Sequence, residues 1–220
     1  MLKSMKILNN FAVLEGGDGS GTTTQLAILE QTLSEGAAAN PEHVSPLPAI
    51  HKTFEPTDNP AGRLIRQGLK GEIRLKSETI AFLFAADRNE HIYGPQGIME
   101  RCGRGELVVS DRYLFSSLVY QGITCGEELP ARLNRDFPLP ELVIFFDLDP
   151  KIAEKRIQGR SQKEIYETLE FQIKVRESYQ SIFKKYGSTT RVEIIDASLS
   201  KEEVSREIWR AFSKMPIFKG

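Results

Sequence analysis

The stretch Gly16-Gly17-Asp18-Gly19-Ser20-Gly21-Thr22-Thr23 carries the densest chemical signal in the chain. It follows the spacing G-x-x-x-x-G-[K]-[ST], in which glycines let successive backbone N–H groups turn inward around a phosphate. The stretch lies between an apolar run, Phe11 to Leu14, and a helical pattern from about Thr22 to Leu33. The positive end of a helix would therefore add to the cradle. Thr23 would offer its hydroxyl to Mg²⁺, and Thr24 continues the nucleotide-binding run. Thr22 stands where this pattern has lysine. A charge-assisted contact of that kind is worth roughly 1.5–3 kcal/mol, so its loss from the transition state would slow turnover about 10- to 100-fold. The spacing does not fit the G-x-G-x-x-G dinucleotide fingerprint.

A second constellation follows the apolar run Leu107-Val108-Val109-Ser110, which ends in Asp111-Arg112-Tyr113. An arginine at a strand's carboxyl end is placed to hold a phosphate with a bidentate fork. Asp111 would orient Mg²⁺ or its waters, with Asp147 as a competing carboxylate. Phe84 and Arg88, four residues apart, share one helical face and could stack on a flat ring and hydrogen-bond its carbonyl. Ser117 and Gln121 lie on one side of their own helix and could read a base edge. Plainer readings stand beside these: Phe84 as core, Arg88 in a surface ion pair with Asp87, and Tyr120 as a packing aromatic.

Together these segments resemble the thymidylate kinase family. Asp111-Arg112-Tyr113, Ser116-Ser117 and Tyr120-Gln121-Gly122 resemble its DRY…S-S-x-x-Y-Q-G signature, and Leu83-Phe84-Ala85-Ala86-Asp87-Arg88 with His91 its LFAADRxxH helix. Glu55-Pro56 resembles the end of its T-R-E-P loop, Arg66 the arginine of the next helix, and Asp196-Ala197-Ser198 the loop near the adenine. The resemblance implies Mg²⁺-dependent phosphoryl transfer from ATP to dTMP. It also implies that Asp18 meets the sugar 3′-hydroxyl, that Tyr120 crowds the 2′ position, and that Glu167 lies near the metal. A lid is implied at about 159–166, where Arg160 or Lys163 takes over the role of the absent lysine, with Arg156 one turn earlier. Ile165 and Phe54 stand where family members carry arginines. A homodimer packed through the helices around residues 60–120 is implied as well.

Short apolar runs must position these groups. They alternate with longer helical patterns, as in βαβ units around a parallel sheet. Strands are expected at Phe11–Leu14, Ile50–Phe54, Leu107–Ser110, Leu142–Phe146 and Val192–Ile195. Helices are expected from about 22, after Pro60, over 77–101 with a break near Gly94-Pro95, over 114–121, after Pro150, over 166–186 and from Ser200. Ser200 with Glu203 forms a capping box. Residues 36–48 read as a loop insertion, and 122–141 as a Gly- and Pro-rich connection. With the resemblance, the fold class is a three-layer α/β/α P-loop NTPase domain spanning 1–220, with a five-stranded parallel sheet of order 2-3-1-4-5.

The bulk properties narrow the partners. The chain has 220 residues and a net charge of -1, so it offers no global field for nucleic acid polymers or an anionic membrane. Two cysteines, Cys102 and Cys125, form no metal or disulfide pattern, which suits a reducing cytoplasm. No run approaches the ~18 apolar residues of a membrane span, and Met5 is an alternative start. Two other functions stay open: a kinase for a different nucleotide or deoxynucleoside, and a nucleotide-binding homologue with weakened or no catalysis, as Thr22 and Phe54 would permit.

Overall fold

The computed structural model describes residues 6–34, 48–158, 166 and 168–219. Five parallel strands form one sheet: β1 (Ile7–Gly16), β2 (Ile50–Phe54), β3 (Leu107–Asp111), β4 (Leu139–Asp147) and β5 (Arg191–Asp196). Their order is β2-β3-β1-β4-β5, as expected. The apolar runs are buried on both faces because alternate residues serve opposite layers. Phe11, Val13, Val108, Val143 and Phe145 face one core, and Ala12, Leu14, Val109, Ile144 and Phe146 the other.

Helix α1 (Thr22–Ser34) and the last helix, α9 (Lys201–Phe212), cover the second face. The first is covered by α2 (Pro60–Leu69), α3 (Ser77–Tyr93), α4 (Ile98–Gly103), α5 (Leu114–Cys125) and α8 (Leu169–Tyr186). The capping box of Ser200 and Glu203 opens α9. Pro150 opens α7 (Pro150–Ile157), where its missing N–H is harmless.

Several boundaries differ from the sequence expectation. The first and fourth strands are longer: Ile7 and Leu8 pair with Leu139 and Pro140, and Asn9-Asn10 lie in the irregularity that separates this pairing from the one resuming at Ala12. The 77–101 pattern breaks around Gly94-Pro95 into α3 and α4 as expected, since proline cannot continue a helix. The 122–141 connection contains a helix, α6 (Glu128–Asn134), whose Pro130 sits in the first turn, where proline is tolerated. Most of the 36–48 insertion lies outside the described residues, as do Met5, Arg160, Lys163 and Glu167.

Sheet register delivers the chemical groups to one edge. Leu14 and Phe54 both pair with Asp111. The Arg112 N–H bonds the Leu14 carbonyl at 2.9 Å, and the Glu55 N–H bonds the Asp111 carbonyl at 3.1 Å. The phosphate-loop, DRY and Glu55-Pro56 segments thus leave the sheet side by side at the carboxyl ends of β1, β3 and β2.

Candidate active site

The Gly-rich loop bends where glycine allows it: Gly19 and Gly21 take φ of 79° and 99°. The first hydrogen bond of α1 runs from Gln25 N–H to the Gly21 carbonyl at 3.0 Å. The amides of Thr22, Thr23 and Thr24 consequently have no acceptor within the helix. They border a cavity of about 910 Å³, which runs from Lys52 and Phe54 past the loop to Arg156, Ala197, Leu199 and Lys201. Asp196 is not among the residues that line it; its Oδ1 accepts from the Ser198 N–H and hydroxyl at 2.9 and 2.6 Å. This loop lines the cavity with Ala197 and Leu199 instead.

Two of the three residues expected at the Mg²⁺, Thr23 and Asp111, meet. Thr23 Oγ1 donates to Asp111 Oδ2 at 2.5 Å. Asp111 Oδ1 is buried with no hydrogen-bond partner among the described residues. An acceptor oxygen with unsatisfied lone pairs beside a hydroxyl and a phosphate cradle suits a hard cation that keeps waters and phosphates as its other ligands. Asp147 does not compete, because Arg176 and Gln180 occupy its oxygens at 2.5 and 3.3 Å.

A second cavity of about 230 Å³ adjoins the first, and the two share Asp18, Glu55, Pro56, Arg66 and Arg112. Arg112 stands at the junction. Its Nη1 donates to the Gly16 carbonyl at 2.9 Å, Ser116 Oγ at 3.3 Å and the Tyr120 hydroxyl at 3.4 Å. Nη2 donates to Asp18 Oδ1 at 2.6 Å. With five N–H donors in a planar fork, the side chain keeps Nε and one Nη2 hydrogen without partners among the described residues, an edge fitted to two phosphate oxygens. Arg66 is more committed: it donates to the Pro56 and Thr57 carbonyls and to Asp58, with its guanidinium 5.8 Å from the Phe54 ring centroid.

Beyond Arg112 the second cavity is built from side chains. Arg88 and Glu55 form an ion pair at 2.5 Å, their side chains 1% and 2% exposed. Arg88 is therefore no surface partner of Asp87, which is buried and accepts from the Thr57 N–H and hydroxyl. Arg88 also donates to Asn134 Oδ1 and, at 3.0 Å, to Ser117 Oγ. Four of its five donors are used, so one Nη1 hydrogen remains among the described residues. Ser117 thus steadies Arg88 and does not line the cavity, whereas Gln121 lines it and keeps an unpartnered buried Oε1. Phe84 both lines the cavity and packs on the core. Tyr120 is buried with its ring centroid 5.3 Å from the Arg112 guanidinium.

Burial alone would push the Glu55 carboxyl up; Arg88 and His91 beside it more than reverse this and hold it below the usual range. His91 Nδ1 meets Glu55 Oε1 at 3.0 Å, and its Nε2 meets the Thr53 hydroxyl at 2.6 Å.

Two further residues shape the site although no motif role drew them out. Glu15 accepts from the N–H groups of Tyr113 and Ser116 and from the hydroxyls of Ser116 and Tyr179, at 2.7–3.3 Å. It thereby anchors the start of α5. Burial raises its carboxyl to about 7, against the pull of Ser116, Arg112, Tyr179 and Tyr113. A lone acid inside the run Phe11-Ala12-Val13-Leu14-Glu15 was the available signal. Gln172, on the first turn of α8, bonds Asp18 from 154 positions away. No local pattern marks it.

A family model described as thymidylate kinase matches residues 14–208. The chain belongs to this family. A relative from Treponema pallidum is 42% identical over 182 residues, covering 82% of each chain. Two archaeal relatives carry the name "Probable thymidylate kinase". The one from Pyrobaculum aerophilum is 37% identical over 211 residues, 95% of this chain and 99% of its own. The one from Methanococcus maripaludis (strain S2 / LL) is 39% identical over 220 residues, 95% of this chain and 98% of its own. The family match spans the phosphate loop, the DRY segment and both cavities. No described helix is long and apolar enough to cross a membrane.

Proposed function

We propose that this protein transfers the terminal phosphoryl group of ATP to dTMP, giving ADP and dTDP, with Mg²⁺ at Thr23 and Asp111. The observation that carries the reading is the junction at Arg112 and Asp18, where a cavity walled by main-chain amides meets one walled by side chains. The larger cavity takes the triphosphate and the smaller the acceptor, so the two phosphate ends meet over the sheet. Arg112 holds the acceptor phosphate with its free edge and supplies positive charge there as the transfer proceeds. Bound Mg²⁺ would neutralise charge on the triphosphate oxygens. Positioning and charge stabilisation then suffice, with no covalent intermediate.

The acceptor base follows from donors and acceptors. Arg88 has a spare N–H and Gln121 an unpartnered oxygen beside the same cavity. A pyrimidine presenting a carbonyl next to a ring N–H, as thymine does, satisfies both; cytosine presents the reverse. Phe84 offers a face for the ring. We also assign the homodimer to α2–α4, where Leu64, Phe82, Tyr93 and Met99 are exposed.

Release of ADP, coupled to a reporter and measured with dTMP, dUMP, dCMP, dGMP and no acceptor, tests the function. Turnover is expected with dTMP at least about 10-fold above dCMP, in proportion to one to two mispaired polar groups at the base, whereas dUMP, which presents the same carbonyl and ring N–H and lacks only the methyl group, is expected closer to dTMP. Thr22 and Phe54 favour the competing reading of a nucleotide-binding protein without turnover. Tight ATP binding with no acceptor-dependent ADP would establish that reading instead.

A further inference from the structure

The carboxylate of Asp18 is held from two sides. Oδ1 accepts from Arg112 Nη2 at 2.6 Å, and Oδ2 accepts from Gln172 Nε2 at 2.7 Å. The Gln172 amide makes two more bonds: its Oε1 accepts from the Asp18 N–H at 3.1 Å, and its Nε2 donates to the Tyr166 carbonyl at 3.0 Å. A backbone N–H can only donate, and a carboxylate and a carbonyl can only accept. A flipped amide would lose all three contacts, so the partners fix its orientation. Gln172 is buried, and a Cβ on Gly17 would come within 3.0 Å of its Oε1. The glutamine is thus packed against the loop as well as bonded to it.

Asp18 lines both cavities. Between two anionic nucleotides, an acceptor-only carboxylate repels phosphate and requires a hydrogen-bond donor. A deoxynucleoside 5′-monophosphate has one free sugar hydroxyl, at the 3′ position. We infer that Gln172 is a positioning residue that sets the Asp18 carboxylate against this hydroxyl, and so a determinant of selectivity for acceptors that carry it. The inference rests on the dTMP kinase reading and extends it to a residue on α8.

The test compares dTMP with 3′-deoxy-dTMP in the wild type, Gln172→Ala and Gln172→Glu, by calorimetric binding and by steady-state kinetics. With dTMP, Gln172→Ala is expected to lower kcat/KM about 10- to 30-fold, chiefly through KM, as the loss of one hydrogen bond to a charged group predicts. With 3′-deoxy-dTMP the loss is expected to stay under about 3-fold, and KM for ATP to move by no more than that. Gln172→Glu keeps the size but places a second carboxylate against Asp18. It should lose more and recover part of the loss as pH falls and the new acid takes up a proton. If the alanine variant does not fold, the near-isosteric glutamate variant carries the same comparison. Equal losses with both acceptors, or no loss with dTMP, would overturn the assignment. A wild type that binds neither acceptor would overturn the kinase reading and this inference together.

Discussion

The two cavities are built by different means. The larger cavity, the one proposed here for the donor nucleotide, is bordered by the small residues Gly17 to Thr24, whose backbone amides are the proposed phosphate donors. The acceptor cavity is about a quarter of its volume and rests on buried charges, above all Glu55 and Arg88. Main-chain amides present the same donors whatever side chains they carry. The donor side can therefore absorb an unusual residue such as Thr22 and remain a phosphate site. The acceptor side has no such tolerance, because its buried charges satisfy one another and removing one strands its partner.

This contrast is sharpest at Arg88. Replacing Arg88 with alanine should destabilise the fold by about 3–5 kcal/mol in urea denaturation, because the buried Glu55 would lose its guanidinium partner and keep only His91 beside it. A loss under about 1 kcal/mol would break the contrast, placing the variant among ordinary surface substitutions.

A smaller effect is expected at Glu15, which anchors the acceptor helix. Its carboxyl sits at about 7 in the fold against 4.5 for an ordinary glutamate. A group raised in this way favours the folded state fully below about 4.5, and that contribution is lost as pH climbs through about 7. Over that window the wild type should lose on the order of 3 kcal/mol relative to Glu15→Gln. Parallel stability curves for the two proteins between these pH values would show that Glu15 does not titrate there.

The smallest effect lies on the donor side. Thr22→Lys should change stability by less than about 1 kcal/mol, since Thr22, though buried, lines the large cavity into which the longer side chain can extend. Its added ammonium should raise kcat roughly 10-fold with little change in KM for ATP. No gain in kcat would mean that another cation already supplies the charge.

The sequence made legible what is written in local periodicity and short spacings. Runs such as Leu107-Val108-Val109 can only be strands buried on both faces, and strand–glycine loop–helix order places the phosphate cradle. The fold class and strand order followed, with the family resemblance. What stayed hidden depends on distance along the chain. The Arg88–Asn134 bond joins α3 to α6, a helix concealed in a proline-bearing connection. Gln172 reaches Asp18 only because the sheet brings α8 beside the loop. Ser117 was legible as a site residue but not as the partner of Arg88, since its own helix gives no hint of what faces it.

Arg112 holds a positive φ of 69°, a left-handed backbone that an L side chain adopts at a cost of roughly 1–2 kcal/mol. Glycine would relieve that strain and relax the turn after β3, yet it would remove the guanidinium from the junction of the two cavities. Robustness and chemistry therefore pull in opposite directions at a single position, and thermal hardening of this turn through its backbone would disarm the protein.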